Sequence, residues 1–277
     1  MSKVQIGSPL YIVREQCQRD LFAAIQKLKE VGFDGIEFQG FFGKGAKETR
    51  QCLDDLGLQA LGSQLSVARL REDARGTFDF HRTVGISLMT VAGYSADELL
   101  NQTGKVVDEI AGLSAIAKEY GIRLLYHNHD WEVIEKKDGK TAMETLLDAA
   151  DPSILQVEPD IGWMESTQAD AAYYLSKYKG RCPIIHIKDY YTSNHDLLGR
   201  VHDFLPARGP KERGEFEFRP AGYGVCNLPR LLPYCIESSP EWYVTDHDMA
   251  YERDPFFDLK LGLDYMRALF ALQPQKG

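Results

Sequence analysis

Short apolar segments alternate with helix-like segments along the whole chain, and this alternation restricts the fold more than any other feature. The segments between the apolar ones carry apolar residues three and four positions apart, as in Val106, Ile110, Leu113 and Ala117, which is typical of amphipathic helices. Regular alternation of strands and helices indicates an α/β protein with a mainly parallel sheet. The eight predicted strands are residues 4–6, 35–39, 58–66, 86–93, 122–129, 154–161, 183–190 and 241–248.

Eight strand–helix units in a chain of 277 residues predict a closed (β/α)₈ TIM barrel, a fold that typically needs about 250 residues. The alternative is an open doubly wound sheet, which would be expected to show a Gly-rich GxGxxG turn after its first strand. The sequence has no such turn after residues 4–6. It also contains no linker and no low-complexity segment, so we expect a single domain over residues 1–277.

The charge and cysteine content restrict the classes of partner and the compartment. The chain has 32 Lys and Arg against 41 Asp and Glu, a formal net charge of −9, and no basic run. This balance argues against nucleic acid and anionic membrane surfaces as partners. No apolar stretch reaches the roughly 18 residues of a membrane span, and no signal peptide is recognisable. The five cysteines are scattered without a CxxC pair, so we expect reduced thiols in a cytoplasmic protein.

Polar residues are concentrated where the predicted strands end, which is the edge of a barrel that carries the active site. Residues two apart share a strand face, so pairs of side chains are expected to point the same way at each strand end. These residues are Glu37 and Gln39 on the second strand, His127 and His129 on the fifth, Glu158 and Asp160 on the sixth, His186 and Lys188 on the seventh, and Asp246 and Asp248 on the eighth.

Imidazole and carboxylate groups converging from several strands suit a divalent metal ion such as Mn²⁺, Mg²⁺, Co²⁺ or Zn²⁺. The alternative is that each group is a solvated loop residue or a helix cap. A serine hydrolase is disfavoured because the chain has no GxSxG motif. GFFGKG at 40–45 lacks the Ser or Thr of a phosphate-binding loop, and we interpret it as a strand-to-helix loop with Phe41 or Phe42 lining the site.

Several motifs resemble those of the xylose isomerase-like TIM barrel superfamily, which includes the sugar phosphate isomerases and epimerases. The resemblance covers nearly the whole chain in the same order. Members include ketose epimerases, aldose–ketose isomerases, inosose and dehydroshikimate dehydratases, and an endonuclease branch that the acidic charge disfavours here. The motifs are GFDGIEF at 32–38, YHNHDWE at 126–132, VEPDIGW at 157–163, HIKD at 186–189, GYGVCNLPRLL at 222–232 and VTDHDMAYERDPFFDLKLGLDYM at 244–266.

The resemblance implies a metal ion held by Glu, Asp, His and Glu from strands five to eight. The matching positions here are His127, Asp160, His186 and Asp246, so both Glu ligands of the family are replaced. Because those Glu residues also move protons in the epimerases, the two-Glu mechanism does not transfer directly. Glu158, on the same face as Asp160, is an alternative ligand or base.

The resemblance implies a metal-dependent sugar or keto-polyol isomerase or epimerase that works through an enediolate. The alternatives are a dehydratase on the same scaffold and a non-catalytic sugar-binding barrel. The ion and Lys188 would polarise the substrate carbonyl, and Asp246, Glu158 or His127 would take the α-proton. We expect Glu37, His129, Trp163 and Arg208 to bind the carbohydrate substrate. Arg208 belongs to an irregular segment, 190–222, that we interpret as either a binding loop or a solvated insertion. The sequence leaves the oligomeric state open, with a homo-oligomer as one alternative.

Overall fold

The computed structural model describes residues 4–195, 198 and 216–273, and its strands curl into a closed ring. Strands β1 to β5 lie side by side in chain order, followed by β8, and β9 and β11 complete the ring on the other side of β1. The strands are β1 Ile6–Pro9, β2 Gly35–Phe38, β3 Gln59–Ser66, β4 Leu88–Ala92, β5 Arg123–His127, β6 Lys136–Lys137, β7 Lys140–Thr141, β8 Gln156–Glu158, β9 Ile184–Thr192, β10 Phe216–Arg219 and β11 Trp242–Asp246.

All pairings within the ring are parallel. A parallel bridge between Asp160 and His186 joins the segment after β8 to β9, and the His186 amide donates to the Pro159 carbonyl over 2.9 Å. These contacts close the barrel. The predicted α/β class and the single-domain (β/α)₈ TIM barrel are therefore confirmed.

Helices pack around the outside of the ring. Most of them begin at a residue whose side chain accepts from the first free amides, as Asp20, Ser95, Thr141 and Asp254 do. The helices are α1 Arg14–Arg19, α2 Leu21–Val31, α3 Ala46–Leu56, α4 Val67–Val84, α5 Ala96–Asn101, α6 Thr103–Glu119, α7 Trp131–Ile134, α8 Ala142–Ala149, α9 Ile161–Glu165, α10 Ala171–Lys177, α11 Leu228–Glu237 and α12 Pro255–Ala271.

An apolar layer fills the inside of the barrel and supports the polar residues above it. It consists of buried side chains from alternate positions, Leu61, Leu88, Leu125, Ile184, Trp242 and Val244. Two residues further along the same strands, and so on the same face, lie Thr90, His127, His186 and Asp246. The inward-facing positions of these strands thus change from apolar to polar within two residues.

The structure differs from the sequence prediction at several element ends. The first strand is Ile6–Pro9 instead of 4–6. Helix α4 begins at Val67 and contains a kink at Asp73 (φ −156°, ψ 85°), which interrupts its helical periodicity. The hairpin of β6 and β7 and the antiparallel strand β10 are additions to the barrel pattern. No helix within residues 4–195 and 216–273 combines the length and apolar character needed to cross a membrane.

Candidate active site

A cavity of about 330 Å³ opens at the carboxyl end of the barrel. Six of the residues predicted from the sequence line it: His127, His129, Trp163, His186, Lys188 and Asp246. Glu37, Glu158 and Asp160 are fully buried and lie behind this lining, in contact with it. Arg208, the remaining predicted substrate-binding residue, lies outside the described residues.

Asp160, His186 and Asp246 converge on one point of the cavity wall. One ligand atom from each residue lies within 4.8 Å of those of the other two, and all three residues are buried. Among the described residues, Asp246 Oδ1 finds no hydrogen-bond partner although it is shielded from solvent, whereas Asp160 Oδ2 is paired with the Lys188 ammonium at 3.0 Å. A buried carboxylate oxygen without a partner is costly unless a cation is close, and the free Asp246 oxygen suits a divalent ion.

A second group of possible ligands lies next to the first and shares His186 with it. His127, Glu158 and His186 also bring their donor atoms within 4.8 Å of one another. His186 Nε2 lies 3.2 Å from Glu158 Oε1 and 3.2 Å from Glu37 Oε2. His127 Nε2 is 3.8 Å from Asp160 Oδ2, so either His127 or Glu158 is near enough to complete a coordination shell.

Lys188 places a positive charge inside the same cluster. Its ammonium lies 3.0 Å from Asp160 Oδ2, 2.9 Å from Asp246 Oδ2 and 3.0 Å from Asp248 Oδ1, and the side chain is 1% exposed. The three carboxylates raise the pKa of Lys188 well above its usual value, although burial alone would lower it. An ammonium group has three N–H donors, and these three carboxylates already use all of them. One ion pair must therefore open before Lys188 contacts a substrate oxygen.

The ionisation of the cluster is set by burial and by its internal ion pairs. Burial would raise the pKa of Asp246, but Lys188 and His186 outweigh burial and hold that pKa well below its usual value. Burial would also raise the pKa of Glu158, but His186 and His127 outweigh burial and hold that pKa well below its usual value.

Two other members of the cluster are shifted in the opposite sense. Burial would lower the pKa of His186, but Glu37 and Glu158 raise it well above its usual value, so His186 carries a proton in the absence of a metal ion. Burial and the charge of Glu158 raise the pKa of Glu37 to about 7.

Carboxyl groups outnumber cationic groups in this cluster, although His186 is protonated. Lys188 and protonated His186 face the carboxyl groups of Glu158, Asp160 and Asp246, with Asp248 at the edge. Unbalanced buried charge is unfavourable, and a divalent cation in place of the His186 proton would reduce the imbalance. The donor set and its charge therefore fit a divalent metal ion.

Two imidazoles and an indole ring form one side of the cavity. The His127 and His129 rings are 5.1 Å apart, and His129 packs edge-on to Trp163 at 5.7 Å. Burial lowers the pKa of His127, which keeps this imidazole neutral. At His129, burial would lower the pKa, but the Glu132 carboxylate outweighs burial and raises it.

Some residues of the site were missed by the sequence analysis. Gln64 donates to Glu158 Oε1 over 2.6 Å and to Glu37 Oε2 over 3.2 Å, and Thr90 donates to Glu158 Oε2 over 2.6 Å. Thr90 could have been found, because it lies two residues after the buried Leu88 on the same strand face. Gln64 could not, because the register between β2 and β3 shifts at Ile36 and Glu37.

Comparisons with known proteins agree with this architecture. Residues 25–233 match the sequence profile of the Xylose isomerase-like TIM barrel family. Inosose dehydratase of Bacillus cereus (strain AH820) is 22% identical over 265 residues, which cover 87% of this chain and 83% of the relative.

Two solved structures have the same fold. A sugar phosphate isomerase/epimerase from Parabacteroides distasonis superposes with a TM-score of 0.74 at 20% identity, covering 97% of this chain and 95% of the other. The IOLI protein, solved with a bound zinc atom, superposes with a TM-score of 0.72 at 12% identity, covering 98% and 100%. Because the family profile matches about three quarters of the chain, this protein belongs to the Xylose isomerase-like TIM barrel family.

Proposed function

We propose that this protein is a divalent-metal-dependent isomerase or epimerase acting on a sugar or keto-polyol through an enediolate. The observation that carries the proposal is the convergence of Asp160, His186 and Asp246 at the wall of a cavity in the barrel mouth. We propose these three residues as metal ligands. A bound ion would supply Lewis acidity toward the negative charge that develops on a substrate oxygen.

We propose His127 as the group that takes the α-proton. Its Nδ1 lies 3.1 Å from Glu158 Oε1, which favours the tautomer with the proton on Nδ1 and a free lone pair on Nε2. Burial lowers the pKa of His127, so the imidazole is unprotonated near neutral pH and can accept a proton. Asp246 and Glu158 were equal candidates from the sequence, but their lowered pKa values make them weak bases.

The remaining residues of the site bind and orient the substrate in this proposal. Lys188 holds the Asp160 and Asp246 carboxylates in place and reaches a substrate oxygen when its pairing with Asp248 opens. Trp163 and His129 offer ring surfaces to one side of a sugar. Glu37, with a pKa of about 7, is a second group able to exchange a proton near neutral pH.

A dehydratase is the second candidate, and His129 is the observation that favours it. Burial would lower its pKa, but Glu132 outweighs burial and raises it, which favours a protonated imidazole beside neutral His127 that could protonate a leaving hydroxyl group. The relative from Bacillus cereus is named as a dehydratase, whereas the Parabacteroides distasonis protein is named as an isomerase/epimerase.

Solvent deuterium incorporation tests the proposal and separates the two candidates. The full chain, loaded in turn with Mn²⁺, Co²⁺, Zn²⁺ or Mg²⁺, is incubated in D₂O with keto-sugars and inososes and followed by NMR and ultraviolet absorbance. Isomerisation or epimerisation gives deuterium at carbon without an unsaturated product, whereas dehydration gives an absorbing unsaturated carbonyl compound. Metal-loaded protein that exchanges no substrate proton in either class would contradict the proposal.

His127→Gln tests the assignment of the base. We expect at least a 100-fold loss of deuterium exchange, the size of a general-base contribution, with metal content unchanged. His195→Gln, at an exposed position three residues after the end of β9, is the matched control and should exchange like the unmodified protein. Loss of metal in His127→Gln would instead identify His127 as a ligand. His127 is the one proposed base that lines the cavity, since Glu37 lies behind the lining, so we expect weak C3 epimerisation of free ketohexoses; strong C3 epimerisation would contradict this arrangement.

A further inference from the structure

A second and larger cavity continues from the active-site cavity. It has a volume of about 570 Å³ and is formed by the loop after β2, the end of β3 and the helix α4. Gln39 and Gln64 line both cavities, so the two spaces meet at these side chains. The first cavity, at about 330 Å³, lies at the lower end of the range for small-molecule sites, roughly 300–1,000 Å³.

Aromatic side chains form one wall of the second cavity. The Phe41 ring packs edge-on against Phe80 at 4.6 Å and against His81 at 5.2 Å, and it stacks on Phe38 at 5.0 Å. Phe42 lies on the rim with 37% of its surface exposed and a φ of 50°, in the left-handed region that bulky residues seldom adopt. An exposed ring held in this conformation is free to contact a ligand.

A buried hydroxyl group without a partner lies in the same cavity. Thr77 is 4% exposed, and its Oγ1 finds no hydrogen-bond partner within the part of the chain that the structure describes. A buried hydroxyl left unsatisfied is unfavourable, and a hydroxyl or ether oxygen of a ligand would satisfy it.

The charges around the cavity do not favour an anion. Arg69 pairs with Glu72 at 3.1 Å, and the Lys44 ammonium lies 4.9 Å from the Phe22 ring. Asp73 also lines the cavity and adds negative charge. A neutral ring with an apolar face and hydroxyl or ether oxygens therefore suits this cavity better than a phosphate group.

We propose that the second cavity binds a second ring, joined by a glycosidic bond to the sugar that reacts in the first cavity. The substrate class is then a glycoside whose reacting ring carries a carbonyl group beside the C–H bond that breaks, either a disaccharide or an aryl glycoside, and not a free monosaccharide. This inference rests on the proposed function, because it takes the first cavity as the place where a sugar reacts. The linkage passes over Gln39 and Gln64, which line both spaces and donate side by side to Glu37 Oε2.

Matched binding measurements on the metal-loaded full chain test this inference. Calorimetry compares D-glucose, cellobiose, phenyl β-D-glucopyranoside and glucose 6-phosphate, together with the galactose set of the same compounds. We expect a two-ring compound to bind at least about tenfold more tightly than its parent hexose, a difference of about 1.4 kcal/mol. Preference for the disaccharide or for the aryl glycoside identifies which second ring the cavity takes.

Variants of the second cavity show whether the preference arises there. Phe42→Ala and Thr77→Val should lower the affinity for the two-ring compound several-fold and leave the affinity for the hexose unchanged. Phe257→Ala, an exposed phenylalanine on α12, and Thr83→Val, on the same helix as Thr77, are the matched controls and should change neither affinity.

Three results would overturn the inference. Equal affinity for hexose and glycoside contradicts the second-ring site but leaves the proposed function standing. Tightest binding of glucose 6-phosphate contradicts the neutral-ring chemistry. Absence of binding by every compound, together with absence of deuterium exchange, contradicts the proposed function and this inference with it.

Discussion

Lys188 is a buried ammonium group whose three ion-pair partners are all carboxylates, and its charge favours the ionised form of Asp246. Asp160 approaches it from the end of β8, and Asp246 and Asp248 from the end of β11, at distances of 2.9–3.0 Å. A buried charge is tolerated when opposite charges surround it, and removal of one partner leaves the others uncompensated.

We expect Lys188→Met to destabilise the metal-free protein by about 3 kcal/mol and to abolish turnover, because the methionine leaves buried carboxylates without a counter-charge. The measurement is urea unfolding in the presence of a chelator. Lys179→Met removes an exposed ion pair with Glu237 and should cost less than about 1 kcal/mol. Equal stability of the two variants would show that the Lys188 ion pairs contribute little.

At the scale of elements, the short helix α9 and strand β9 approach each other closely at Gly162. A Cβ atom on Gly162 would lie 2.5 Å from the Lys188 Cβ and 2.5 Å from its carbonyl oxygen. Since Asp160 begins this helix and Lys188 belongs to the strand, the close approach fixes the distance between a proposed ligand and the ammonium group.

Gly162→Ala is therefore expected to push α9 away from β9 and to lower the free energy of unfolding by about 1–3 kcal/mol, as overpacking does. Gly104→Ala is the matched control, since a Cβ at that position in α6 meets no atom within 4 Å among the described residues. Its stability should be unchanged or slightly raised. Unfolding of both variants at the same urea concentration would contradict the predicted clash.

Helices α8 and α10 are linked by a carboxylate whose ionisation depends on its partners. Burial would raise the pKa of Glu144, but Lys177, the Thr141 amide and Tyr173 outweigh burial and lower it to about 2. Lys177 Nζ and the Tyr173 hydroxyl donate to Glu144 Oε1 over 2.9 and 2.8 Å. Because the pKa in the folded state is depressed, this contribution is present above pH 4.5 and is lost as pH falls toward 2.

We expect Glu144→Gln to reduce stability by about 1 kcal/mol at pH 7, and we expect the difference from the unmodified protein to shrink between pH 5 and pH 2. Glutamine keeps the capping geometry at this position, so the change reports the charge. Urea unfolding at several pH values measures the effect, with Glu30→Gln on α2 as control. A difference that stays constant with pH would exclude an electrostatic origin.

For the whole molecule, the barrel could be predicted because its signals are local and repeated eight times. Five of the eight apolar runs end in polar side chains of types found in active sites, and the rule that barrel sites form at the carboxyl ends of strands placed Glu158, His186 and Asp246 together. The register shift at Ile36 and Glu37, by contrast, has no sequence signal, and it brings Gln64 onto two carboxylates.

The second cavity could not be predicted from the sequence either. It depends on how far the loop carrying Phe41 and Phe42 stands from α4, where Thr77 and Phe80 lie. Helical and strand periodicities specify which face of an element is buried, but they do not specify the distance between elements. The prediction that Phe41 or Phe42 lines the active-site cavity was wrong, because both side chains line the second cavity instead.

Metal binding should appear as a stability effect on the whole molecule, because an ion that binds the folded state alone stabilises it by mass action. At a concentration 100 times the dissociation constant the gain is about 2.7 kcal/mol, which for a chain of this size raises the melting temperature by several degrees. We expect this rise with Mn²⁺, Co²⁺ or Zn²⁺ and its reversal by a chelator.

Asp160→Asn and Asp246→Asn should abolish the rise in melting temperature, because each removes a buried carboxylate proposed as a metal ligand. Asp264→Asn, at an exposed position on α12, should retain it. If the two buried variants kept the full metal-induced rise, the ion would bind elsewhere, and the convergence of these carboxylates would require another explanation.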